Sequence, residues 1–460
     1  MTLSWSSSGL DVHLGWQPET GRTGLAAAIR AAIRDGRWQA GAAVPSTRAL
    51  AQDLGVARGT VTRVYADLAA EGYLRTAQGA PTRVATAGAL PQSPPRPAAR
   101  EVAPRWDLRP GRPDLSAFPG QAWLASTRKV LQRVPATNLG YASELGAPEL
   151  RDTLAVYLAR SRGVVADPAR IVVCNGYSHA LTLLTRVLHG KGVDEVAFEN
   201  PSLRMYRDLV AANGPRVVGA EVDDDGIDMS ALDSPAVVVT AAHQYPMGVT
   251  LAPHRRAALT RWAGDSGAIV LEDDYDGEFR FDNQQVGALQ ALAPERVVYA
   301  GTVSKTLAPA LRLGWLVLPR SLVEPMRAAI VDSGSRPPVL NQLTLAELID
   351  SGGYDRHVRR SRTEYRSRRD RLLAALPGVV TPRGISAGLH LTLMLPDGGP
   401  TETEVLAACR RRAIGLEGLR SYWQDEGRPG GVIVGYGAAA KHAFAGATQA
   451  FIEALWEVTP

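Results

Sequence analysis

Beyond Trp106 the chain alternates short apolar runs with helical patterns, and no other feature restricts its fold so narrowly. Strand-like runs fall near residues 171–174, 194–198, 216–219, 236–241, 268–272, 297–300 and 313–318, with helical spacing between several of them. Consecutive parallel strands need a long crossover, usually a helix, and such helices cover both faces of the sheet. The alternation predicts an α/β domain around a mainly parallel sheet. Ligands in such sheets bind beyond the carboxyl ends of strands, so residues that follow the apolar runs are the first candidates for chemistry.

Three of those run ends are unusual. Residues 268–279 read AIVLEDDYDGEF, an apolar strand that ends in Glu272, Asp273 and Asp274, with Tyr275 next. Three acids there are costly unless a cation sits beside them. Val298 to Gly314 reads VYAGTVSKTLAPALRLG, with Lys305 at a strand end among small residues and Arg312 seven positions later. A buried lysine loses its proton more readily and can then form a Schiff base. Pyridoxal phosphate, an aldehyde that lysines capture in this way, needs a carboxylate at its ring nitrogen. Residues 171–188, IVVCNGYSHALTLLTRVL, give a strand, a turn at Asn175-Gly176 and an apolar-periodic helix. The free N–H groups of that helix's first turn suit a phosphate.

The positive charge of the chain is confined to its start. Residues 1–105 hold 12 arginines, no lysine and 7 acids, whereas the other 355 residues hold 39 basic and 39 acidic side chains. That distribution points to an anionic partner for the first part alone. Leu25, Ile29 and Ile33 mark one face of a helix that Gly36 ends. A second helix opens at Ser46 as N-cap, Gly55 turns the chain, and a third runs from Arg58 to Glu71 with Val61, Val64, Tyr65 and Leu68 inward. Two short helices joined by a glycine-containing turn read as a helix-turn-helix, and the outward face of the second offers Arg58, Thr60, Thr62 and Arg63 to duplex DNA. YLRT and TRVAT, separated by QGAP, read as a β-hairpin wing. Residues 86–105 contain five prolines and no apolar periodicity, as in a semi-rigid spacer.

Two resemblances follow from these motifs. PSTRALAQDLGVARGTVTRVYADLAAEGYL resembles the GntR-type winged helix, which implies DNA contacts from Arg48, Arg58 and Thr60 and from the wing tip at Gly79. Ala57 and Pro81 depart from that pattern, where serine and glycine are usual. EDDYDGEFRF, GTVSKTLAPALRLGW, SAGLHLTL and RHVRRSRTEYRSRRDRL resemble fold-type I pyridoxal-phosphate aminotransferases, and more closely the MocR-type transcription regulators that join such a domain to a GntR-type winged helix. The resemblance runs from about Thr23 to the end. It implies pyridoxal phosphate as cofactor, with Lys305 as the Schiff-base lysine, Asp273 at the ring nitrogen and Tyr275 at the ring hydroxyl. It further implies backbone N–H groups of Gly176 and Tyr177, hydroxyls of Ser178 and Thr302, and Arg312 at the phosphate. Aminotransferases that bind amino acids carry an arginine on their last strand for the substrate carboxylate, and here Ile433 takes its place. Leu203 replaces a usual aromatic residue and Tyr245 a usual asparagine, while Arg420 and Arg428 are the candidates to stand in for the arginine.

The expected organisation is a winged helix over residues 1–85, the spacer 86–105 and an aminotransferase-like domain over 106–460. That domain has a large part to about residue 340 and a smaller α/β part from 341, which opens with an arginine-rich helix whose charges read as a solvated or interface face. No apolar run is long enough to span a membrane, and residues 1–10 lack the basic start and apolar core of a secretory leader. Cys174 and Cys409 supply neither a disulfide framework nor a metal set, as in a cytoplasmic protein. The expectation is a cytoplasmic, homodimeric transcription regulator that binds an operator in double-stranded DNA. Its second domain would sense pyridoxal phosphate or an amine without turnover. The alternatives are an active aminotransferase with an appended DNA-binding domain, and a DNA-binding scaffold that holds no cofactor.

Overall fold

The computed structural model describes residues 14–77, 80–85, 104–140, 143–282 and 286–459. They form two units, residues 1–101 and 102–460. The spacer expected over 86–105 lies outside the described residues except at its last two positions.

The first unit packs α1 (Gly21–Arg34), α2 (Thr47–Leu54) and α3 (Arg58–Ala70) with a hairpin of β1 (Leu74–Arg75) and β2 (Arg83–Val84). Leu25, Ile29 and Ile33 of α1 meet Val61, Val64, Tyr65 and Leu68 of α3 in one core, as the helical spacing requires. Ser46 caps α2 by accepting from the N–H of Ala49 at 3.1 Å, and Gly55 closes it at φ 64°, where a side chain would be strained. Ala57 caps α3 with no side-chain bond, which is the structural result of alanine in place of serine there.

The second unit opens with β3 (Trp106–Asp107), α4 (Gly120–Arg133) and α5 (Pro148–Arg162). Its main sheet uses β4 (Ile171–Cys174), β5 (Glu195–Asn200), β6 (Arg216–Asp223), β7 (Gly226–Ile227), β8 (Ala236–Val239), β9 (Ile269–Asp274), β10 (Val297–Thr302) and β11 (Gly314–Val317). The helices α6 (Tyr177–His189), α7 (Arg204–Ala211), α8 (Pro253–Ser266), α9 (Arg320–Ser333) and α10 (Val339–Asp350) accompany it. Strand order is β4-β11-β10-β9-β8-β5-β6-β7. Period-2 alternation splits the core between the two faces. Val172, Cys174, Leu271, Val298 and Leu316 pack under α6 and α9, and Ile171, Val173, Tyr299, Trp315 and Val317 pack against α5 and α10.

The sheet is less uniformly parallel than the alternation suggests. The pairs from β10 through β9, β8 and β5 to β6 are parallel, but β11 runs antiparallel to both β10 and β4. Only a 3-10 turn, Pro309–Leu311, intervenes between β10 and β11, so without an α-helical crossover the chain returns and reverses direction. The smaller part follows α11 (Gly353–Ala375). It comprises β12 (Thr381–Arg383), β13 (His390–Met394), α12 (Glu402–Arg411), β14 (Ile414–Gly415), β15 (Glu417–Gly418), β16 (Gly431–Gly435) and α13 (Phe444–Val458). Its antiparallel sheet has the order β12-β13-β16-β15, while β14 pairs with β3. Among the described residues no helix is long and apolar enough to cross a membrane.

Candidate functional site

Strand register assembles the rim of the main sheet. Cys174 lies opposite Gly314, Gly314 opposite Thr302, and Gly301 opposite Asp274. The turns that leave these positions carry Gly176, Tyr275, Lys305 and Arg312, so residues from 176 to 312 converge on one edge.

Lys305 is half-buried there, and its Nζ donates to the carbonyl of Gly111 at 2.7 Å. Burial lowers its pKa, against the opposing pull of Asp273 and Asp276. Asp273 is the next-to-last residue of the adjacent strand β9, and burial pushes its carboxyl up to about 8 while the Lys305 ammonium draws it back. The three acids of the sequence have separate partners. Glu272 accepts the backbone N–H groups of Leu289 and Gln290 at 2.8 and 3.1 Å. Asp274 pairs with the buried Arg162 through bonds of 2.6 and 3.0 Å and accepts the Tyr299 hydroxyl at 2.7 Å. Asp273 is the member of the trio whose charge acts on Lys305.

Tyr275 donates to the backbone carbonyl of His243 at 3.1 Å, and its hydroxyl lies 3.1 Å from His243 Nδ1. That nitrogen is also 2.9 Å from Asp276 Oδ2. The His390 ring lies 5.0 Å from the His243 ring, and burial, then His243, hold its pKa well below the usual histidine range. Nothing in the sequence marked His243, Asp276 or His390 as a group, although HQYPMG and SAGLHLTL contain two of them. Gly111 and Arg162 had no sequence signal, since their partners are far along the chain.

On the other side of Lys305, Gly176 caps α6 at φ 80°, and a Cβ placed there would lie 3.6 Å from Arg312 Nη1. Tyr177 and Ser178 start α6, and Thr302 Oγ1 bonds Ser304 Oγ and the Leu313 carbonyl at 2.9 and 3.1 Å. His179 Nε2, whose ring feels the Arg312 charge, is a buried polar atom without a hydrogen-bond partner. Uncapped helix N–H groups, a guanidinium and this orphaned nitrogen together fit an anionic group. His179 was not anticipated.

The place of the missing arginine is taken by apolar and aromatic side chains. Ile433 is fully buried with Tyr245, Leu419 and Tyr422, and Leu203, Met247, Tyr275 and Trp423 pack against this cluster. Neither proposed stand-in enters it. Arg428 pairs with Glu221 and Asp425, and Arg420 is exposed.

In the first unit Arg48, Arg58, Thr62 and Arg63 are exposed, and Thr60 is half-buried. Arg58 Nε donates to Thr47 Oγ1 at 3.4 Å, and Thr62 donates to the Arg58 carbonyl at 3.0 Å. Gly79 lies outside the described residues.

Fold and rim together define a fold-type I aminotransferase-like domain attached to a winged helix. Residues 115–399 match the aminotransferase class I and II family, and residues 22–84 match the gntR family of bacterial regulatory proteins. The pyridoxine biosynthesis transcriptional regulator PdxR of Corynebacterium glutamicum is 31% identical over 431 residues, 92% of this chain and 93% of PdxR. The transcriptional regulator TauR of Rhodobacter capsulatus is 34% identical over 417 residues, 84% of this chain and 85% of TauR. Kynurenine aminotransferase of Pyrococcus horikoshii shares the fold with a TM-score of 0.69 at 23% identity, over 78% of this chain and 92% of that one. The chain belongs to the MocR-type transcription regulators, GntR winged helices joined to a class I and II aminotransferase domain. The cofactor of that domain is pyridoxal phosphate, and the cradle at Gly176 and Arg312 fits its phosphate.

Proposed function

We propose that this chain is a cytoplasmic transcription regulator that binds operator DNA through residues 1–85 and senses pyridoxal phosphate or an amine through residues 106–460, without sustained turnover. The observation that carries this reading is the pairing of half-buried Lys305 with buried Asp273 at adjoining strand ends, beside a cluster at Ile433 where a substrate carboxylate would need a cation. Pyridoxal phosphate, when bound, supplies an aldehyde carbon for amines and an electron-withdrawing ring.

Lys305, with a pKa lowered by burial, supplies the amine that captures that carbon. Asp273 provides the carboxylate for the ring nitrogen, and a cation beside it favours its charged form. Tyr275, oriented by His243, directs its hydroxyl to the ring oxygen. Gly176, Tyr177, Ser178, Thr302 and Arg312 hold the phosphate, the first two by backbone N–H groups. Arg48, Arg58, Thr60, Thr62, Arg63 and Gly79 serve the DNA. An α-amino acid would bring a carboxylate to Ile433, where an unpaired charge is strongly disfavoured. The same residue speaks against the active-aminotransferase alternative.

The test joins both halves. The purified protein should show a visible cofactor band that borohydride reduction abolishes, with the label on Lys305, and loading should change its affinity for operator DNA. A colourless protein that takes up no supplied cofactor would overturn the reading.

A further inference from the structure

The small sheet replaces the missing guanidinium with a carboxylate. Ile433 of β16 pairs directly with Thr392 of β13 on one side and with Glu417 of β15 on the other. Directly opposed residues of antiparallel strands project from the same face. That face is turned toward the cofactor rim, because Thr392 Oγ1 donates to the carbonyl of Pro246, next to Tyr245. Glu417 therefore stands beside Ile433 on the face toward the site.

Its surroundings suit a cation. The Tyr422 hydroxyl donates to Glu417, and the Tyr422 and Tyr245 hydroxyls lie 3.2 Å apart. Tyr245 in turn packs edge-on to Tyr275 and His390, with centroids at 5.8 and 4.8 Å. Glu417 forms no salt bridge among the described residues. Arg207, on α7, donates to the Tyr422 backbone carbonyl instead. A carboxylate without a paired cation, beside Tyr422 and Tyr245, offers both a counter-charge and aromatic rings to an ammonium.

We propose that the effector is a dicationic amine, such as a linear diamine, whose near amine reaches the Lys305 end and whose far ammonium is held by Glu417. This rests on the reading that small amines enter the cofactor site, and it names their class. The two features of the cluster act together: Ile433 leaves a carboxylate without a partner, and Glu417 repels it while attracting a second ammonium. An α-amino acid is disfavoured twice and a monoamine leaves Glu417 unpaired.

Three probes that differ by one group each test this on the cofactor-loaded full chain: cadaverine, pentylamine and L-lysine. Half-maximal change of the visible cofactor band and of DNA affinity should come at a concentration at least about tenfold lower for cadaverine than for pentylamine, the yield of one charge-assisted hydrogen bond. L-lysine, which adds only the carboxylate to cadaverine, should be weaker than cadaverine. Glu417→Gln keeps an acceptor for Tyr422 and should bring cadaverine to the pentylamine concentration while the cofactor band is unchanged. Equal responses to cadaverine and pentylamine, a preference that survives Glu417→Gln, or L-lysine as the strongest probe would overturn the proposal. A loaded protein that ignores all three would overturn it too and leave cofactor binding intact, whereas failure to load at all would sink the underlying reading instead.

Discussion

Lys305 and Asp273 were legible as residues because each breaks a local rule: an ammonium and a carboxylate at the ends of apolar strands need a reason to be buried. The same reasoning gave no roles to the rest of the acidic trio. Glu272 is satisfied by backbone N–H groups and Asp274 by Arg162, contacts made across the fold and invisible in the linear order. Glu417 escaped notice for a similar reason, since its significance comes only from its cross-strand pairing with Ile433. The raised pKa of Asp273 has a consequence for stability. A carboxyl whose folded pKa is raised takes up a proton on folding, so its stabilising contribution is complete below an unfolded pKa of about 4 and is lost as the pH rises through the folded value. For Asp273 that value is about 8. Cofactor-free protein should therefore lose stability between pH ~4 and ~8, and Asp273→Asn should flatten that slope in denaturant titrations at several pH values. A slope unchanged by the substitution would assign it to the other buried acids, Glu199, Glu272 and Glu278, each pushed up to about 7 chiefly by burial.

At the level of elements, period-2 and period-3.6 patterns located the strands and the three N-terminal helices with small boundary differences. Strand direction was not legible. The reversal of β11 depends on the lack of an α-helix in residues 303–313, and a short apolar run reads alike in either direction. The reversal matters functionally, because it brings both ends of one turn, Lys305 and Arg312, to the same rim. In the first unit, α3 buries Val61, Val64, Tyr65 and Leu68, which leaves Arg58, Thr62 and Arg63 outward. Arg58→Ala should weaken operator binding by about 1–3 kcal/mol if the side chain reads a guanine edge, and binding should fall steeply with salt. Arg410→Ala, in α12 of the other unit, should leave operator affinity unchanged. Equal losses from both substitutions in fluorescence anisotropy would place the footprint elsewhere.

For the whole molecule, we infer a homodimer formed through the second unit. Leu124 and Leu131, seven residues apart on α4, are 51% and 55% exposed, and Leu115 and Leu139 near its ends are 58% and 53% exposed. An apolar stripe of that kind marks an association surface. Scattering at micromolar concentration should give the mass of two chains, and Leu124→Glu with Leu131→Glu should halve it; a wild-type monomer would refute the inference. Two parts of the molecule are tied by one bond described above. Residues 104–112 open the second unit, and Arg109 and Arg112 present their carbonyls to Gly435 and Gly437, so closely that a Cβ at either glycine would clash. At the end of that stretch the Gly111 carbonyl receives the Lys305 ammonium. A lysine that reaches for another group leaves this carbonyl without its donor. Lys305 thus works as the bolt of a latch: drawing it frees the Gly111 carbonyl, at the end of a stretch that β3 still holds against β14.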